Sequence, residues 1–268
     1  MARLWALAGG AALALLLLLG MPAAAGDDAW ADLRPALFGD REILDGAGVI
    51  ALEAPERAHD AALVPVTIEA LIPQSAERHI ATIHLLVDRN PAPLAAVFHL
   101  SPDSGTATIA TRVRVDSYTD VRAIAETSDG RLYMASRFVK ASGGCSAPAL
   151  KDHEQAMARL GQMKLNHGPI RLGEPNQVQL LISHPNYSGL QIDQLTRYWI
   201  PPHYVRTVEV EWGGQTLLRI EADISISENP SLHFAFVPEA SGELVVEAED
   251  NQGQVFARRF PIPAEPGS

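Results

Sequence analysis

The residues best suited to covalent chemistry meet at one point. The sole cysteine of this 268-residue chain, Cys145, lies in the run Ala141-Ser142-Gly143-Gly144-Cys145-Ser146-Ala147-Pro148. A lone thiol cannot close a disulfide within its own chain, so in an exported protein it is free, joined to another chain, or carrying a group. Two glycines ahead of it remove side-chain bulk and widen the backbone's choice. Gly143 and Gly144 therefore read as an arm that extends the thiol from a rigid body. With an ordinary pKa of about 8.5 such a thiol is only a few per cent thiolate at neutral pH. Arg137 or Lys140 would lower that value on approach. The plain alternative is a small apolar side chain packed in a loop.

A second cluster is His184-Pro185-Asn186-Tyr187-Ser188-Gly189, where an imidazole, an amide, a phenol and a hydroxyl crowd one turn. His184, Asn186 and Tyr187 are candidates for contact with a partner. The alternative is a tight turn whose polar side chains satisfy the backbone. Asn186-Tyr187-Ser188 also has the form of a glycosylation sequon, which matters only in a eukaryotic secretory pathway.

Other chemistry is not signalled. The nine histidines show neither the helical pair nor the cysteine spacing of a zinc site, so no metal centre is expected. No GxGxxG, Walker, CxxCH or GxSxG pattern occurs, and no cofactor is expected. A Cys-His hydrolase needs a thiol held in fixed geometry beside a base, which a Gly-Gly arm does not supply. A non-enzymatic role is therefore expected.

These residues need a frame and a compartment. Met1 to Ala25 places a single charge, Arg3, before an apolar run with Leu15 to Leu19, and Ala23-Ala24-Ala25 offers the small residues that signal peptidase needs. Residues 1 to 25 read as a cleaved export signal rather than a stable membrane anchor, which sends the mature chain out of the cytoplasm. Its loss takes the formal charge from -11 to -12, which argues against nucleic acid or anionic lipid as a partner and is compatible with a basic protein. About 240 residues remain, enough for one large or two ordinary domains.

Period-two alternation dominates both halves. In the first, Ala107 to Val115 alternates polar with apolar, and Val64 to Ile72, His79 to Val87, Val121 to Glu126 and Leu132 to Val139 are further strands. Asp88-Arg89-Asn90-Pro91-Ala92-Pro93 reads as an extended corner. In the second, Val178 to Ser183, Val205 to Trp212, Leu217 to Ile224, Leu232 to Val237, Leu244 to Ala248 and Val255 to Phe260 follow, with Trp212-Gly213-Gly214-Gln215 and Asp250-Asn251-Gln252-Gly253 as turns. The expected fold is all-β: two immunoglobulin-like β-sandwich domains, 26–148 and 168–268, joined by a short helical connector, 149–167. A single barrel is the alternative. The helix is expected over about Leu150 to Leu165, with Leu150, Met157 and Leu160 near one face and Asn166-His167-Gly168-Pro169 as its stop.

With these segments in view, the chain resembles the two subunits of the sulfur-oxidation carrier SoxYZ joined in one polypeptide. The SoxY likeness rests on Trp30, Phe38-Gly39-Asp40, Ala54-Pro55, Ala58, Val64-Pro65-Val66, Asp88-Arg89-Asn90-Pro91 and Gly143-Gly144-Cys145. The SoxZ likeness rests on His184-Pro185, Thr196-Arg197, Ile200-Pro201 and Ser227-Glu228-Asn229-Pro230. More narrowly, it is similar to the SoxYZ-like carriers associated with quinoprotein alcohol dehydrogenases. The resemblance implies a bacterial periplasmic setting and a covalent carrier cysteine at Cys145 on a Gly143-Gly144 arm. It also implies, as partners, a quinoprotein dehydrogenase, a cytochrome or sulfur-oxidation proteins. A disulfide-linked homodimer and a docking module in which Cys145 is incidental are the competing expectations. Where the family's arm ends in two further glycines and a free terminus, this chain has Ser146-Ala147-Pro148 and continues.

Overall fold

The computed structural model describes residues 28–148 and 153–263. The expected export signal, 1–25, and the expected start of the connecting helix, 149–152, lie outside them. The first half contains helix α1 (Ala29–Phe38) and strands β1 (Ile43–Asp45), β2 (Ile50–Glu53), β3 (Val64–Ala70), β4 (Ile80–Val87), β5 (Leu94–Leu100), β6 (Ile109–Val113), β7 (Thr119–Thr127) and β8 (Leu132–Val139). The second contains α2 (His153–Met157), β9 (Met163–His167), β10 (Asn176–Ile182), β11 (Val205–Trp212), β12 (Gln215–Ala222), β13 (Ser231–Phe236), β14 (Gly242–Asp250) and β15 (Val255–Ile262).

Alternation places the core. Val64, Val66 and Ile68 of β3 point inward, as do Val178, Leu180 and Ile182 of β10 and Leu244, Val246 and Ala248 of β14. The inward faces of two sheets meet and bury these rows, the arrangement of a β-sandwich. Strand β7 departs from alternation, because Val121 to Ala125 are buried on both faces. The cause is α1: Phe38 lies over Leu86, Ile124 and Leu132 on the outer side of the sheet, flanked by Trp30.

Both halves contribute to both sheets. One sheet runs β1-β8-β7-β4-β5-β12-β11-β14-β15 and the other β2-β3-β6-β13-β10-β9. Their seam is the antiparallel pair β5 with β12, in register from Ala96 with Ala222 to Leu100 with Leu218, and the single pairing of Ala110 with His233. The all-β sandwich class is as expected, but sheet continuity joins the halves, not a helix. Pairing β5 with β12 satisfies two strand edges that would otherwise stand open.

The connector itself differs from expectation. Within the described residues its helix is only His153–Met157, and Met163–His167 adds to β10 as an edge strand. An open strand edge offers a full ladder of hydrogen bonds, which outweighs the weak helical pattern of those residues. The two turns read from sequence close β11–β12 and β14–β15, with Gly213 and Gly214 at φ of 60° and 78°.

Polar groups pin the seam. The buried Asn90 amide donates to the Arg114 carbonyl (2.7 Å) and the Ser225 hydroxyl (2.9 Å), while its oxygen accepts from the Asp116 N–H. Ser227 donates to the Ala62 carbonyl, and Arg112 to that of Asn229. The Asp88 to Pro93 corner is thus structural, and Ser225 to Asn229 forms the opposing half of the joint.

Candidate functional site

Strand β8 delivers the chain to the seam, where the Gly-Gly-Cys run is fastened from end to end. The Gly143 N–H donates to the Asp116 carbonyl (2.8 Å) and the Gly144 N–H to that of Val115 (3.0 Å). Arg114 donates from Nη1 to the Gly144 carbonyl and from Nη2 to the Asn186 carbonyl, both at 3.1 Å. Ser188 Oγ donates to the Cys145 carbonyl, and Gln191 Nε2 to that of Ala147 (2.8 Å).

The Cys145 side chain is fully buried, one residue inside an exposed Ser146. Burial, then the charge of Asp116, pushes its thiol up to about 12, with Arg114 opposing. At neutral pH it is a protonated, inert thiol.

This corrects the reading of an extended arm. Of the two glycines, Gly143 adopts a φ of 77°, but Gly144 is there for closeness rather than reach. A Cβ on Gly144 would lie 2.0 Å from the Ala61 carbonyl oxygen and 2.7 Å from that of Val115. The run is a strap lying on the body.

The His184-Pro185-Asn186-Tyr187-Ser188-Gly189 turn is the strap's seat. His184, Asn186 and Tyr187 are all buried, so none faces a partner in this state. Asn186, at a φ of 42°, accepts on Oδ1 from the Val205 N–H and on its carbonyl from Arg114. Its burial also removes the sequon from the surface. Tyr187 exchanges backbone hydrogen bonds with His203 (2.7 and 3.0 Å), and its ring stacks on His153.

Sequence reasoning missed Arg114, Asp116 and Gln191 at this site. Arg114 reads as one more solvent-facing position in an alternating strand. Strand β6 stops at Val113, and Arg114 turns inward to 1% exposure, with Nε unpartnered. Burial lowers its pKa, opposed by Glu228, Cys145 and Asp60.

Nor did spacing reveal a histidine cluster. His184, His203 and Asp250 bring ligand-capable atoms within 4.8 Å of one another. His203 Nε2 lies 2.8 Å from Asp250 Oδ2, and His184 Nε2 lies 3.7 Å from the same oxygen. Burial, then His203, lowers His184 to about 4, so its ring is neutral at pH 7. Asp250 stays below the usual carboxylate range: burial works to raise it, but His203 and the backbone N–H groups of Gln254 and Gln252 outweigh that.

The donor set does not fit a metal ion as it stands. His184 Nδ1 accepts the Asn186 N–H at 3.1 Å, so the neutral ring carries its proton on Nε2, the atom that would have to face the ion. The cluster is instead a buried clamp holding the seat to the β14–β15 hairpin.

Comparison with known proteins decides the family. The model of the Sulfur oxidation protein SoxY family matches residues 34–145, and that of the Sulphur oxidation protein SoxZ family matches residues 164–261. The chain is a fused SoxYZ-like protein. The SoxY match ends on Cys145 itself, and the SoxZ match spans the seat and the clamp. SoxY and SoxZ are sulfur-oxidation carrier proteins, and this chain is carrier-like in that sense.

No curated protein matches. Among solved structures, a superoxide reductase (neelaredoxin) from Ignicoccus hospitalis is 20% identical with a TM-score of 0.31, covering 34% of this chain and 79% of that one. A glycosyl hydrolase family 2 member from Bacteroides cellulosilyticus is 9% identical with a TM-score of 0.23, covering 76% and 25%. A β-glycosidase from Bacteroides vulgatus is 10% identical with a TM-score of 0.23, covering 80% and 25%. Likenesses this low carry no functional argument.

Proposed function

We propose that this SoxYZ-like chain is a periplasmic, non-enzymatic carrier in which Cys145 is the covalent attachment point, kept latched until a partner releases the strap. The observation that carries the reading is that the sole thiol is the residue on which the SoxY match ends. Gly143 and Gly144 are the hinge and the contact that let the strap lie flat.

Five hydrogen bonds hold the strap: Gly143 to Asp116, Gly144 to Val115, Arg114 to Gly144, Ser188 to Cys145 and Gln191 to Ala147. At about 1 kcal/mol net for each, the released form is about one molecule in several thousand. That is rare enough to protect the thiol and common enough for a partner to select.

The cargo fits the family's chemistry as a thiosulfate-derived group. Joining thiosulfate to the Cys145 thiolate makes one S–S bond and releases two electrons, so it needs two equivalents of an external one-electron acceptor of the cytochrome class. The thiol proton leaves to solvent. Association with a quinoprotein alcohol dehydrogenase would supply such an acceptor chain.

Replacing Cys145 with Ser tests this directly in a host whose sulfur or alcohol oxidation requires the protein. Loss of that growth is expected. Undiminished growth sinks the covalent role.

The burial of Cys145 favours a second reading, a non-covalent docking module for the dehydrogenase or its cytochrome. The formal charge of -12 left after loss of the export signal suits a basic partner. Under that reading Cys145→Ser is silent and association weakens with salt. A disulfide between two copies requires the same strap release as loading.

A further inference from the structure

Immediately beyond the strap's seat, Gln191 to Ile200 forms a short hairpin that presents to solvent the three most exposed large apolar side chains among the described residues. Leu195 is 93% exposed, Tyr198 76% and Trp199 64%, with Ile192 at 38% beside them. Four such residues on one turn are unusual, because aromatic side chains left in water gain nothing from burial.

The hairpin is built to hold them still. Ile192 pairs with Trp199, the Ile200 N–H donates to the Gln191 carbonyl (2.9 Å), and the Asp193 N–H to that of Tyr198 (2.9 Å). At the tip the Asp193 carboxylate accepts from the N–H groups of Leu195 (3.0 Å) and Thr196 (2.6 Å) and from the Thr196 hydroxyl (2.9 Å). These bonds hold Asp193 below the usual carboxylate range. A rigid display of Leu, Tyr and Trp lowers the entropy lost on binding, and Trp and Tyr are typical anchors of protein interfaces.

Its base is also the strap's fastening. Gln191 is fully buried; it donates to the Ala147 carbonyl and accepts from the Ser188 N–H, and Ser188 holds the Cys145 carbonyl. A body seated on the hairpin therefore stands two residues from Cys145.

We propose, building on the carrier reading of Cys145, that this hairpin is the docking element for the sulfur-oxidation protein that loads Cys145, and that it enters an apolar groove with a basic rim on that protein. Two features favour this occupant over a second copy of the chain. Without its export signal each copy carries a formal charge of -12, so two copies repel while a basic rim attracts. The exposed tip also offers on the order of 400–500 Å², about half of what each partner contributes to a stable interface. Two convex tips fall short of that requirement. A groove that wraps the hairpin and its base meets it.

The test measures how fast Cys145 acquires a reducible mass increment when the full chain is incubated with thiosulfate and a periplasmic extract of the organism that makes it. Leu195→Asp and Trp199→Ser are compared with wild type and with Val255→Asp, an exposed apolar position on β15 in the other hairpin. Loading about ten-fold slower or more is expected for the two hairpin variants, and within about two-fold of wild type for Val255→Asp. Maleimide labelling of Cys145 in the isolated proteins should stay within about two-fold throughout, since none of the three changes touches a strap bond.

Equal loading of wild type and Leu195→Asp overturns the proposal. A wild-type protein that acquires no group overturns the carrier reading beneath it. Sedimentation that shows a dimer dissolved by Leu195→Asp assigns the hairpin to a second copy and equally overturns it.

Discussion

The Cys145 strap and the Gln191–Ile200 hairpin are neighbours that share one buried glutamine yet treat their key side chains in opposite ways. The strap hides a small reactive group completely and protonates it by burial. The hairpin holds large unreactive groups out in water on a rigid turn. A thiol that is dangerous when free is sheltered, while the surface that selects a partner must be presented in advance. Under the proposed function, the pairing is that of a guarded cargo point beside an open docking point.

The largest effect should come from removing the strap's fit. Gly144→Ala drives a Cβ into the Ala61 and Val115 carbonyls, so the strap cannot lie flat. Maleimide labelling of Cys145, followed by intact mass, should accelerate by about a thousand-fold, approaching a free thiol, because roughly 5 kcal/mol of strap bonding is lost. Labelling as slow as wild type would mean that something other than strap closure shields the thiol.

Next comes the clamp beneath the seat. A histidine whose folded pKa lies below its unfolded value stabilises the protein above the unfolded pKa and loses that contribution as pH falls through the folded one. For His184 the window runs from 6.5 down to about 4, and the loss is about 3 kcal/mol. Denaturant midpoints in wild type should fall across this window, and His184→Gln should flatten the slope while lowering stability at neutral pH. If the seat depends on the clamp, Cys145 labelling also speeds up in the same acid window after correction for thiolate fraction.

A smaller change sharpens the contrast at single bonds. Ser188→Ala removes the hydroxyl that holds the Cys145 carbonyl, and labelling should rise by about ten-fold with no change at the hairpin tip. The smallest effect is at the hairpin. Leu195→Asp touches no core residue, so its stability should stay within about 0.5 kcal/mol of wild type in chemical denaturation.

Much of the frame was legible because sandwich strands write themselves as alternation. Val64 to Ile72 and Val205 to Trp212 carry one apolar row each, and Gly213-Gly214 mark the hairpin from β11 to β12. Strand β5 was not, since Leu94 to Leu100 follows a proline corner and is nearly all apolar, which hides its period. Helix α1 escaped notice because only Phe38 is fully buried and Pro35 interrupts its pattern. Met163 to His167 becomes a strand only through the open edge of β10.

The site was half legible. Cys145 and the His184 to Gly189 turn stood out by composition, but that one is the seat of the other follows from long-range folding. Glycines serve freedom and close approach alike, and only the Ala61 carbonyl over Gly144 distinguishes the two. His203 and Asp250 sit 47 residues apart in sequence, beyond any motif spacing.

The most direct measurement is the intact mass of Cys145-containing protein, produced in the periplasm beside its natural oxidation partners and purified without reductant, before and after dithiothreitol. A reducible increment that maps to Cys145 and is absent from Cys145→Ser is the predicted result. An unmodified chain from cells actively oxidising the substrate would contradict the claim that Cys145 carries the cargo.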